Sequence, residues 1–370
     1  MGDIGLNERS PGEVVADMMA ERGWTQSDLA YVLGVTTATV NQIVKSKRPI
    51  TPEMAKLLGV GFSVPAENFA ELQARWNVRA APEPSDDVKT RAKTQSRYPL
   101  REMIKRGWIA DAKLGFDLHS ELCFFFGVNS LDSVPLMAHA ARKTNYDDVP
   151  GSQLAWLFRV RQIAKQMPTP RYSADKLKTA ISQMSQMRES PEEIRHVPRI
   201  LNDAGVRFVV VEGLPGGRID GVCFWLDSNS PVIGLSTRYD RIDNFWFVLA
   251  HECSHVLHGH GKSAEIIDAD LGSESGAESE EERIANADAR EFCVPTAKMR
   301  SFYERKHPFF SDIDVRAFAK LNGVHPGLVV GQIHHMTGEF RNLRQHLVSV
   351  RKIVTSSAMV DGWGDVLPVS

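Results

Sequence analysis

From Phe245 to Leu257 the chain is apolar except for one island, His251-Glu252-Cys253-Ser254-His255, which forms an H-E-x-x-H motif. The flanking residues suit a helix. On a helix, two histidines four residues apart lie one above the other, so both imidazoles can reach one metal ion. Glu252, one position along, then faces the same water, and the pattern predicts zinc-activated water. The bare motif also recurs by chance, mostly on surface helices without a third ligand, so its context has to carry weight.

Ahead of the motif stand three short β-rich runs, residues 206–212, 221–226 and 231–235, separated by Gly, Pro, Asp and Ser. They read as strands of a small sheet. Behind it, an acidic, glycine-rich stretch from Gly259 to Glu281 leads into a second helical pattern, Glu282 to Phe292, which Pro295 stops. Glu282 is the expected third ligand, because hydrolytic zinc sites take three protein ligands and two His plus one Glu is an established set. Glu282 and Asn286 are i and i+4 on one face, so the amide can orient a ligand histidine from behind. Glu281 would point about 100° away and is the fallback. His258 and His260 follow the helix too closely to replace Glu282 without a sharp turn.

The order strand-strand-strand, F-x-x-A-H-E-x-x-H, then E-x-x-A-N-x-x-A near a proline resembles the ImmA/IrrE family of metallopeptidases over roughly residues 200–300. The resemblance implies a zincin-like α+β domain with a small mixed sheet. It also implies that His251, His255 and Glu282 bind Zn2+ while Glu252 activates water for peptide cleavage. Substrates in that family are typically Xre-type repressors. Two departures stand out: Asp288 replaces a usual aromatic residue, and the acidic insert before Glu282 is long enough to suggest a mobile lid. Peptidases of this kind commonly need a transition-state donor, for which His325, His334 and His335 are candidates. No spacing argument selects among them, and His325 is taken as the catalytic partner of Glu252. A substrate strand is expected to add to an exposed sheet edge near Pro231–Leu235.

At the other end of the chain, Thr25 to Val44 reads as helix-turn-helix. Ala30 is small where two helices must approach, Gly34 marks the turn, and Val35, Val40 and Ile43 form an apolar underside. With Thr36 as N-cap, Thr37, Ala38, Asn41 and Gln42 fall on the face that could enter a major groove. Gln26 joins them as a DNA-binding candidate, and Lys45, Lys47 and Arg48 are placed for phosphates. With Ser10-Pro11-Gly12-Glu13, Lys47 to Ala55 and Phe69-x-x-Leu72-Gln73, the segment resembles the HigA-like branch of the Xre repressors over residues 10–78. That resemblance implies an operator-binding homodimer, and in many members an antitoxin.

A net charge of −2 offers no global attraction to nucleic acid, so DNA affinity must come from the local basic cluster. The chain has 370 residues, enough for two or three cores, and no run of membrane-spanning length or signal peptide. Its four scattered cysteines read as reduced, buried thiols, and cytoplasmic residence is expected. The expected architecture is α+β and multidomain. It comprises an all-α helix-turn-helix domain (1–80), a linker (81–97), a helical middle module (98–190), a metallopeptidase core (191–300), a C-terminal helical region (301–354) and a flexible tail (355–370). The middle module's aromatics read as core, with a small-molecule sensor pocket as the alternative. The expected function is a DNA-binding regulator whose zinc endopeptidase cuts itself or a partner repressor on a signal such as stress or phage. The alternative is an antitoxin-like repressor whose peptidase fold binds a toxin or ligand with little turnover.

Overall fold

The computed structural model describes residues 9–84, 86–111, 117–134, 150–262, 266–269, 279–362 and 365–366. By its contacts the chain divides into two units, residues 1–89 and 90–370.

The first unit holds α1 (Pro11–Glu21), α2 (Gln26–Leu33), α3 (Thr37–Val44), α4 (Pro52–Phe62) and α5 (Ala66–Ala80). Local chemistry sets their starts. Ser10 and Thr25 form capping boxes with Glu13 and Asp28, and the hydroxyls of Thr36 and Thr51 accept from Thr39 N and Met54 N. Gly34 ends α2 in the left-handed conformation at φ 67°, which turns the chain into α3. Val15, Leu29, Leu33, Val40, Ile43, Leu58, Phe62 and Phe69 build one core. Gly12 lets α1 approach the end of α3, since a Cβ there would lie 2.4 Å from the Ile43 carbonyl.

Helix α6 (Asp86–Arg97) occupies most of the stretch read as a linker; beyond Pro84 it contains no residue that breaks a helix. There follow α7 (Leu100–Lys105), α8 (Leu118–Phe126), α9 (Gly151–Gln166), α10 (Ala174–Ser185) and α11 (Val197–Asp203). Strands β1 (Arg207–Val211), β2 (Ile219–Trp225) and β3 (Pro231–Leu235) come next, then α12 (Ile242–His258) and β4 (Ile266–Ala269). Helices α13 (Glu280–Cys293), α14 (Thr296–Lys306), α15 (Asp312–Asn322), α16 (Pro326–Thr337) and α17 (Arg351–Thr355) precede β5 (Met359–Gly362) and β6 (Asp365–Val366).

The six strands form one mixed sheet in the order β4-β2-β3-β1-β5-β6. β1 runs parallel to β3 and β5, while β2 is antiparallel to β3 and β4. Strand alternation sends Phe208, Val210, Cys223 and Ile233 into a core with α10, α11, α12 and α16. Val209, Val211, Val222 and Val232 go to the other face, with Trp108, Phe125, Phe126, Trp156 and Phe158. A sheet covered on both faces explains why its strands read as continuous apolar runs.

Three expectations change. The helical stretch from 98 shares its core with the sheet, because the apolar face of α9 packs on β1, so no break in the core separates it from the peptidase segment. The stretch read as a flexible tail contributes β5 and β6, and the Asp361 carboxylate accepts from Trp108 Nε1 at 3.0 Å. Pro231–Leu235 is no edge for an added substrate strand, since β2 and β1 flank it; the edges are β4 and β6. Of the stretch expected to form a mobile lid, residues 263–265 and 270–278 lie outside the described residues, and the described part includes β4. Among the described residues, no helix is long and apolar enough to cross a membrane.

Candidate metal centre and helix-turn-helix face

Helix α12 is amphipathic only in chemistry, not in burial. Ile242, Phe245, Trp246, Leu249, Cys253 and Val256 repeat at helical spacing and fill the core, yet His251, Glu252 and His255 are also fully buried. The face they occupy is closed by α13, whose Ala285 and Ala289 are fully buried and small enough to let the two helices approach. Ser279 starts α13 by accepting from Glu282 N at 3.2 Å, which sets that glutamate in the first turn.

Three ligand atoms converge. The His251 and His255 Nε2 atoms are 3.0 Å apart, and the Glu282 carboxylate oxygens lie 3.3 Å and 3.5 Å from them. These three side chains are the metal-capable group among the described residues. Ligands about 2.0–2.2 Å from a tetrahedral zinc sit about 3.4 Å from one another, so the donor set and its spacing fit that ion.

The far side of each imidazole is also engaged. His251 Nδ1 lies 3.1 Å from Asn286 Oδ1, so an Nδ1–H donating to the amide oxygen leaves Nε2 its lone pair for metal. His255 Nδ1 faces His260 Nδ1 at 3.0 Å. Asp288, the departure noted in the sequence, accepts from the Ser254 hydroxyl at 2.5 Å and so makes a polar link between α12 and α13. Glu252 sits against β2: a Cβ on Gly221 would lie 2.1 Å from Glu252 Oε1. Cys253, within the motif, points into the core, and burial pushes its thiol up to about 12. All four cysteines are free and buried.

His325 is not brought to this group. It caps α16, its Nδ1 accepting from Gly327 N at 3.0 Å, and its own N–H donates to the Arg188 carbonyl. Gly327 packs against Ile242, at the start of α12. Helical rise places Ile242 about 13 Å along the axis from His251. Burial, and then His346, push the His325 pKa down.

In the first unit, Thr37, Ala38, Gln42, Lys45, Lys47 and Arg48 are exposed on and just after α3, while Gln26 and Asn41 are half-buried. The Gln42 carbonyl accepts from both Lys47 N and Arg48 N, which fixes the turn that carries the basic pair.

Comparison with known families gives two matches. Residues 203–324 match the peptidase family described as IrrE N-terminal-like domain, and residues 15–67 match a helix-turn-helix family. The chain joins an Xre-type helix-turn-helix domain to an IrrE-like peptidase domain. The IrrE-like match runs from the end of α11 into α16's approach and contains His251, Glu252, His255, Glu282 and Asn286. No curated protein matches. Among solved structures, the Pseudomonas aeruginosa antitoxin HigA with the higBA promoter is 29% identical, covering 23% of this chain and 88% of that one, with a TM-score of 0.19. A P. aeruginosa protein in complex with its 28-base-pair operator DNA is also 29% identical, covering 23% and 89%, with a TM-score of 0.19.

Within the IrrE-like domain, motif reading alone does not reach Gly221 or the Ser254–Asp288 link. Gly221 stands at the head of a β-rich run, where its cue is a glycine inside a strand pattern, a mark of close approach by another group.

Proposed function

We propose that the chain is a cytoplasmic, dimeric, operator-binding regulator whose IrrE-like domain is a zinc-dependent endopeptidase acting on itself or on a partner Xre-type repressor. The convergence of His251, His255 and Glu282 beside Glu252 carries this reading. His251, His255 and Glu282 would hold zinc, with Asn286 and His260 keeping the imidazoles in register. When bound, zinc polarises a peptide carbonyl and acidifies water towards about pKa 7. Glu252, on α12 and packed against Gly221 of β2, accepts the proton of the attacking water on its carboxylate and returns it to the departing amine. Full burial of Glu252 keeps bulk water from its carboxylate and strengthens that exchange.

For DNA, Thr37, Ala38, Asn41 and Gln42 would face base edges, Gln26 would sit at the groove's rim, and Lys45, Lys47 and Arg48 would take phosphates. A second reading, an antitoxin-like repressor whose peptidase fold holds a toxin or ligand with little turnover, is favoured by the full burial of Glu252 and both histidines. One experiment separates the two. The full chain is co-expressed with a candidate Xre-type repressor and fragments are sought, with Glu252→Gln as control. Fragments that vanish in the variant support the peptidase. An intact pool in both, with zinc bound at one per chain, supports the binding role.

A further inference from the structure

A cavity of about 230 Å³ opens where β1 and β3 end, lined by Glu212, Gly213, Leu214, Arg218, Ile219, Ser236, Arg238 and Arg351. None of these residues belongs to the histidine–glutamate group. Carboxyl ends of parallel strands are where open α/β sheets place ligands, because the loops that leave them diverge. Three of the lining side chains are guanidinium groups. A fourth, Arg106, is almost wholly buried behind the wall and donates to the Glu212 and Gly213 carbonyls at 2.6 Å and 3.1 Å. Three carboxylates oppose them: Glu102 and Glu212, 3.0 Å and 3.7 Å from Arg106, and buried Asp220, 3.6 Å from Arg238. Four guanidinium groups thus stand beside these three carboxylates, and three of the four line the cavity itself.

The frame around the cavity is built rather than incidental. Arg351 donates to the Thr237 carbonyl at 2.9 Å, and Asp240 accepts from Val350 N and Arg351 N at 2.8 Å and 2.7 Å, which anchors the start of α17 there. Ser236 ties the end of β3 to β2 by donating to the Ile219 carbonyl at 2.6 Å. Arg218 and Thr237 hold left-handed backbone at φ 48° and 46°. For a β-branched residue such as Thr237 that conformation is an outlier, of the kind that clusters at ligand sites.

We propose that this cavity binds a small, multiply charged phosphate compound, a pyrophosphate or a phosphate monoester, through Arg218, Arg238 and Arg351. Guanidinium forks match phosphate oxygens in pairs, so three of them around one cavity can hold a phosphate group from several sides. The cavity lies just below the roughly 300–1,000 Å³ of pockets that take drug-sized ligands, which suits a compact anion.

The test is isothermal titration calorimetry on the full chain at fixed ionic strength, with pyrophosphate, ribose 5-phosphate, orthophosphate and sulfate as probes. Saturable binding of pyrophosphate or ribose 5-phosphate at one per chain is expected, weakened at least about tenfold in Arg218→Ala and in Arg351→Ala. Arg218 is exposed, so its variant tests charge without risk to the core. Binding should be unchanged in His255→Ala and in Lys47→Ala/Arg48→Ala. The proposal is overturned by the absence of saturable binding up to about 10 mM. It is equally overturned by affinity that survives both arginine variants, or that disappears with His255 or with the basic pair.

Discussion

Gly221 and Glu252 touch across the strand–helix boundary so closely that a single methyl on the strand would lie 2.1 Å from the carboxylate. The same methyl would fall 2.8 Å from Val248 Cγ1, so α12 offers no space on either side. Gly221→Ala is expected to displace Glu252 while leaving His251, His255 and Glu282 in place. A displacement of about 1 Å at a catalytic group costs about 10²-fold in rate, and overpacking costs about 1–3 kcal/mol of stability. Zinc content measured beside cleavage rate checks this. A variant that keeps both metal and full turnover would show that the contact does not position Glu252.

Asn286 Oδ1 lies 3.1 Å from His251 Nδ1, while the ring's Nε2 faces Glu282, a placement that suits an orienting role. Removing its amide in Asn286→Ala frees the imidazole to rotate and to exchange tautomers, and loss of such a partner typically costs 10–100-fold in metal affinity. Chelator competition on the full chain reads this directly. His255→Ala should abolish stoichiometric zinc, and Asn286→Ala should bind it more weakly, with Asn286→Asp restoring much of the affinity. Equal affinity in wild type and Asn286→Ala would rule out an orienting role.

The parts of this fold that were legible in the sequence are those written in local chemistry. Helix α12 and its motif, the pair Glu282 and Asn286 one turn apart on α13, and the cap at Thr36 each depend on neighbours within a few residues. What escaped reading depends on pairing across long stretches of chain. Met359 and Val360 are too short an apolar run to announce a strand, yet β1 supplies the partner that makes β5. Ile266–Ala269 was hidden in an acidic insert, and only β2 defines it as β4. That Pro231–Leu235 lies inside the sheet follows from strand order, which residue pattern does not encode. Residue type alone is what points to His325, and its place at the α16 cap is a matter of tertiary packing.

The capping boxes make the first unit acid-sensitive. The Ser10 backbone N–H, and then its hydroxyl, hold the Glu13 carboxyl below its ordinary 4.5. The Thr25 hydroxyl, and then its backbone N–H, hold Asp28 below 3.8. A pKa depressed by folding contributes stability that is present above the unfolded value and lost as pH falls through the folded one. Calorimetric melts of wild type and Glu13→Gln/Asp28→Asn should therefore differ at pH 7 and converge at acid pH below these ordinary values. A deficit that stays constant down to pH 3 would mean the carboxylate charges contribute nothing.

The basic pair after α3 gives the sharpest test of the DNA-binding face, because phosphate contacts and base contacts respond to different variables. Lys47 and Arg48 are exposed, and their backbone N–H groups share the Gln42 carbonyl, so replacing both side chains with alanine leaves that turn intact. Each lost phosphate contact removes about 0.9 from the slope of log affinity against log salt. Lys47→Ala/Arg48→Ala is thus expected to flatten the slope by about 1.8 per bound chain, weakening operator and random DNA alike. Gln42→Ala should leave the slope unchanged and cost about 1–3 kcal/mol of discrimination between operator and random sequence. Fluorescence anisotropy across a salt series measures both quantities. A slope unchanged in the double variant would remove the basic pair from the interface, and equal operator preference in Gln42→Ala would remove that side chain from base reading.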